Sequence, residues 1–134
     1  MKKFDHFKSN LNVLALADQE DLTNEFIIGG VIDKFFIQFE LGWKVLKEPL
    51  SYEGQSISAS GSPKMILKTA FAIYDFIDEN VWLEMLRARN DMTHIYDALA
   101  ARRLVDAVLQ QYIPEFQKMK EGIESFYKDE IDNM

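Results

Sequence analysis

The chain of 134 residues has no cysteine, two histidines, three prolines and six glycines. Without a thiol there can be no disulfide framework, no thiolate metal site and no cysteine nucleophile, and two histidines give little from which to build a histidine-rich zinc site. No metal and no cofactor are expected. A run of about 18 uninterrupted apolar residues is also missing, so no membrane-spanning segment and no membrane partner are expected. Met1-Lys2-Lys3-Phe4-Asp5-His6 has two basic residues but no apolar stretch of signal-peptide length after them, which reads as cytoplasmic. Positive charge is scarce. Fifteen Lys and Arg against 22 Asp and Glu leave a net charge of −7, which argues against broad, sequence-blind binding to nucleic acid. Strict apolar–polar alternation bounded by hairpin turns is absent as well, which removes the usual signal for strands.

What is there is apolar residues at helical spacing, in a chain that is 48% hydrophobic and 28% charged. A chain of this size buries roughly two-thirds of its unfolded surface, enough for one domain over residues 1–134 without covalent staples. Phe4, Phe7, Leu11, Leu14 and Ala15 share a face, predicting a first helix over about 3–21. Val31, Ile32, Phe35, Phe36, Phe39, Trp43 and Leu46 form a broad stripe on a second helix that should end before Pro49, with a break expected at Gly29-Gly30. Residues 48–62 lack periodicity and read as one long loop. Ser62-Pro63 is an N-cap followed by proline at the first helical position, starting a third helix to about Ile77. Asp78 or Asn80 can cap a fourth, carrying Val81, Trp82, Met85 and Leu86 and ending near Arg89-Asn90. Asp97 can cap a fifth, with Leu99, Leu104, Val108, Leu109 and Tyr112 apolar, and Pro114 either kinks it or starts a last piece. The fold expected is all-α, an up-and-down four-helix bundle with a fifth helix. The 17 aromatics are read as core rather than as a cofactor box.

Reactive residue types concentrate at 87–97. Arg87, Arg89, Arg102 and Arg103 outnumber Asp91 and Asp97 between Met85 and Arg103, so an anionic partner is expected there. Arg89 and His94 lie five apart across a helix end, where a connection can turn both toward one cleft. Histidine moves a proton near neutral pH, and arginine offers a planar charged fork for phosphate oxygens. Attack of an RNA 2′-hydroxyl on its own phosphodiester needs those two services and no metal ion. The alternative is that Arg89 merely neutralises helix C-terminal carbonyls while His94 hydrogen-bonds a loop. His6 is read as surface or partner-facing.

Arg89-Asn90-x-x-x-His94-x-Tyr96-Asp97 resembles the R-x4-6-H signature of the HEPN superfamily in its R-x4-H-x-Y form. Phe35-x-x-x-Phe39-Glu40-Leu41-Gly42-Trp43-Lys44, Ser62-Pro63 and Trp82-Leu83-x-Met85 add to a resemblance to the nucleotidyltransferase substrate-binding protein family over about residues 4–120. That resemblance implies a helical bundle that forms a homodimer and partners a minimal nucleotidyltransferase encoded nearby. In toxin–antitoxin versions the HEPN protein is a metal-independent RNase, which adds RNA as a partner. By that analogy Arg89 and His94 are the catalytic pair, Asn90 supports the site, and Tyr96 is the hydroxyl that receives AMP. The sequence departs from the family pattern at Phe36, where an acidic residue is typical, and at Asp33-Lys34, where Gln-Arg is typical. Phe36 should therefore enlarge an apolar contact with a partner.

Overall fold

The computed structural model describes residues 1–56, 61–91 and 97–134, and among them every regular element is a helix. The elements are α1 (Lys2–Leu14), α2 (Glu25–Val45), α3 (Lys47–Tyr52), α4 (Pro63–Ile73), α5 (Glu79–Asn90), α6 (Ala98–Ala107) and α7 (Ile113–Phe126). α2 is the spine: α1 lies along it, and α3, α4, α5 and α6 all touch it, while α7 packs against α1. None of the described helices is long and apolar enough to cross a membrane.

The helices start where side chains can replace missing backbone partners. Asn24 accepts from the Phe26 and Ile27 amides, Ser62 from Met65, Asp78 from Asn80 and Val81, and Asp97 from Leu99. Pro63 is the first residue of α4, as its fixed φ and missing donor favour. The apolar stripe of α2 turns inward: Phe35, Phe39 and Leu46 are fully buried and Val31, Ile32 and Trp43 nearly so. Phe35 stacks on Tyr112 at 5.1 Å between centroids, and Trp82 meets Phe39 at 6.1 Å and Phe116 at 5.5 Å. Phe36 is half-buried beside Phe35, so its contact lies at least partly within this chain.

Several boundaries differ from the expectation. The first helix is α-helical only to Leu14, and Ala15–Gln19 tightens into a 3₁₀ turn, a common way for a helix to end. Gly29 and Gly30 do not break α2, because burial of Ile28, Val31 and Ile32 beside them outweighs their poor helix propensity. Pro49 does not end helical structure. The chain redirects at Leu46, and Pro49 falls in the first turn of α3, where an amide has no intrahelical acceptor to lose. The expected loop over 48–62 is therefore helical through Tyr52, after which Gly54 takes φ +83°, a conformation suited to glycine. Residues 57–60 lie outside the described part.

The third helix stops at Ile73 rather than Ile77. Tyr74 is extended there, and Phe76 and Ile77 bury themselves from the connection. α6 and α7 are joined by a π-helical turn, Val108–Tyr112, so Pro114 sits at the second position of a new α segment within one helical run. Leu99, expected on the buried face, is instead exposed.

Two polar ties were not foreseen. Gln38 is fully buried on α2, where its amide donates to the Phe7 carbonyl at 3.0 Å and accepts from Asn10 at 2.7 Å. Glu115 on α7 accepts the Asp78 amide at 2.8 Å, tying the start of α5 to the last helix.

Candidate functional site

α5 carries Arg89 and Asn90 on its last turn, and three contacts fix where that turn lies. Trp82 and Met85 anchor its inner face in the core. The Tyr112 hydroxyl donates to Glu84 at 2.8 Å, and Glu115 holds the backbone of Asp78 at its N-terminus. Burial, with the bond to Glu84 and that carboxylate's charge, pushes the Tyr112 hydroxyl above the ordinary tyrosine range, so it stays a proton donor.

The Arg89 side chain is 35% exposed, and its Nε donates to Glu40 Oε1 on α2 at 2.8 Å. Glu40 is held in turn by its own helix: the indole Nε1 of Trp43 donates to Oε2 at 3.0 Å, and Lys44 Nζ stands 4.0 Å from that oxygen. On the other side of the guanidinium, Nη1 donates to Asn90 Oδ1 at 3.2 Å. The result is a chain of contacts running Trp43–Glu40–Arg89–Asn90. It restrains the flat guanidinium through Nε and one Nη1 proton, while the remaining Nη protons have no protein acceptor among the described residues. An arginine held in this way offers a preoriented donor edge to an anion.

Of the four site residues expected from the sequence, Arg89 and Asn90 come together as described. His94 and Tyr96 lie in 92–96, outside the described residues. On the far side of that connection Asp97 caps α6. The arginine cluster does not form one patch. Arg89 meets Glu40 in the C-terminal half of α2, whereas Arg102 opens onto a cleft of about 330 Å³ lined by Glu25, Ile28, Gly29 and Asp33 in its N-terminal half. Arg89 and Arg102, expected to share one anion-binding region at 85–103, thus lie against opposite halves of α2. His6 is exposed, as expected of a surface residue. Among the described residues no group of three or more His, Cys, Asp or Glu could hold a metal ion.

Glu40, read in the sequence only as part of the α2 motif, has no role at the site on that reading. It is only one of several polar interruptions in the α2 stripe when read alone, although its i, i+3 spacing to Trp43 could have signalled a carboxylate–indole hydrogen bond.

An all-helical bundle with a polar cluster at the end of one helix defines a class of small helical proteins rather than a single activity. The particular family follows from comparison: the profile described as nucleotidyltransferase substrate binding protein like matches residues 2–125, and the chain belongs to that family. No curated protein matches the chain.

Proposed function

We propose that this protein is the HEPN-type partner subunit of a minimal nucleotidyltransferase, acting in the cytoplasm as a toxin–antitoxin component with a metal-independent RNase site. The observation that carries this reading is the partly exposed Arg89 guanidinium, restrained by Glu40 and Asn90 beside the connection that bears His94 and Tyr96. In the proposed reaction His94 takes the proton of an RNA 2′-hydroxyl as its oxygen attacks the adjacent phosphorus. The bond from phosphorus to the 5′-oxygen breaks, the departing oxygen takes a proton, and a 2′,3′-cyclic phosphate remains. Arg89 donates to the phosphate oxygens as negative charge builds on them, and Asn90 supports the guanidinium. The overall negative charge of the chain suits a site that holds one phosphate with a built donor rather than a broad basic surface.

In this reading the transferase silences the RNase by moving AMP from ATP to the Tyr96 hydroxyl, with release of pyrophosphate. The sequence distance from His94 to Tyr96 is two residues, so a bulky anion added there would crowd the phosphate site. Co-expression with the adjacently encoded transferase tests this part. The expected result is a stable complex and an intact mass increased by one AMP, lost in Tyr96→Phe; no complex and no mass change would contradict it.

A second reading, a binding subunit with no chemistry of its own, is favoured by the surface around the start of α2. Phe26 is 90% exposed, and Val13 and Leu16 beside it are about half exposed, around an apolar cleft of about 230 Å³. Such a patch suits a protein partner. The two readings share the transferase complex and separate on RNA cleavage.

A further inference from the structure

The contacts on Glu40 are not those of an incidental surface ion pair. Its two carboxylate oxygens have different jobs: Oε2 is fixed by the Trp43 indole of the same helix, at 3.0 Å, and Oε1 reaches across to Arg89 Nε on α5 at 2.8 Å. Trp43 is itself 8% exposed, so the indole that aims the carboxylate is set in the core. Directly behind it, Gly42 leaves room for Trp82 of α5, since a Cβ there would stand 2.8 Å from the Trp82 ring. The same stretch of α2, Glu40-Leu41-Gly42-Trp43, therefore sets both how closely α5 approaches and how the last side chains of α5 are turned. Engagement through Nε, rather than through both Nη groups, is the second informative feature. It fixes the rotation of the guanidinium while leaving protons on the Nη end available to an incoming anion.

We infer that Glu40 is a positioning residue for Arg89, aiming the Nη end of the guanidinium at the scissile phosphate. This rests on the RNase reading of the Arg89 site. The opposite role would be a carboxylate that competes with phosphate for Arg89, and the geometry favours positioning because the contact is on Nε and because Glu40 is oriented by a residue of its own helix. A positioning residue affects the step in which Arg89 stabilises the transition state more than it affects ground-state binding.

The test uses the full chain with unmodified Tyr96 and an end-labelled RNA oligonucleotide in EDTA, below the melting temperature of the least stable variant. Glu40→Ala should lower kcat on the order of 10- to 100-fold with KM changed by less than about twofold. Glu40→Gln, whose amide oxygen still accepts from Nε, should recover part of that loss, a rescue that a purely structural role would not show. Unchanged kcat in Glu40→Ala would overturn the positioning role and leave the RNase reading standing. A faster Glu40→Gln would overturn it in favour of competition. Absence of cleavage by the wild type would remove the RNase reading, and the positioning role with it.

Discussion

Glu40 of α2 and Arg89 of α5 are joined at 2.8 Å between Oε1 and Nε, and both side chains are about one-third exposed. An ion pair with that exposure adds little to stability, typically about 0–1 kcal/mol. Arg89→Lys should therefore leave the melting temperature within a few degrees of wild type, while removing the planar fork and cutting RNA cleavage on the order of 100-fold. Thermal unfolding followed by circular dichroism and single-turnover cleavage together check both halves. A large loss of stability with unchanged cleavage per folded molecule would show that Arg89 is a structural residue.

The glycines of α2 should behave in opposite ways. A Cβ at Gly29 or Gly30 meets nothing within 4 Å, so Gly29→Ala and Gly30→Ala should each stabilise the isolated chain by about 0.5–1 kcal/mol through helix propensity. A Cβ at Gly42 would press on the Trp82 ring at 2.8 Å, so Gly42→Ala should destabilise by about 1–3 kcal/mol. Chemical denaturation of the three variants measures the contrast, and the same sign for all three would contradict the packing described.

Gln38 should be costly to remove. Its amide spans α1 and α2 from a fully buried position, so Gln38→Ala removes the bond to the Phe7 carbonyl and one of two acceptors of the Asn10 amide, which still donates to the Lys34 carbonyl at 3.1 Å, and leaves a void between the helices. The expected loss is about 1–3 kcal/mol in urea unfolding, and a loss near zero would mean that water replaces the amide.

These contrasts also mark what could be read from the sequence. Helical periodicity identified the inward faces of α1 and α2, because a spacing of three and four residues is a property of one segment. Asn90 and Arg89 were legible as the end of a helix for the same reason. Glu40 to Arg89 and Gln38 to Phe7 are contacts between helices, and no spacing within one helix encodes them. Gly29-Gly30 and Pro49 misled for a related reason: their local preferences are real, but burial of Ile28, Val31 and Ile32, and the redirection of the chain at Leu46, decide the backbone there.

The molecule should unfold in alkali with a late, cooperative tyrosine titration. The Tyr127 hydroxyl donates to Glu53 at 2.9 Å and bonds to the Tyr74 hydroxyl, and burial raises both tyrosines above their ordinary value. Tyr112 is raised in the same direction. A raised folded value means that the stability these groups contribute is intact below about pH 10 and is lost as the unfolded chain begins to ionise above it. Tyrosinate absorbance should appear together with loss of helix, and a gradual titration that precedes unfolding would contradict the buried hydroxyl network. Tyr127→Phe should lower the midpoint in urea, since it removes the link between Tyr74 and Glu53.

The most direct measurement is cleavage of end-labelled RNA in EDTA by the purified wild type and by His94→Ala, after intact mass has shown that Tyr96 carries no AMP. General acid–base catalysis contributes typically 10²–10⁴-fold, so the account predicts 2′,3′-cyclic phosphate ends from the wild type and almost none from His94→Ala. Equal cleavage by both proteins, or none by the unmodified wild type, would contradict the RNase site and leave a binding subunit of a nucleotidyltransferase.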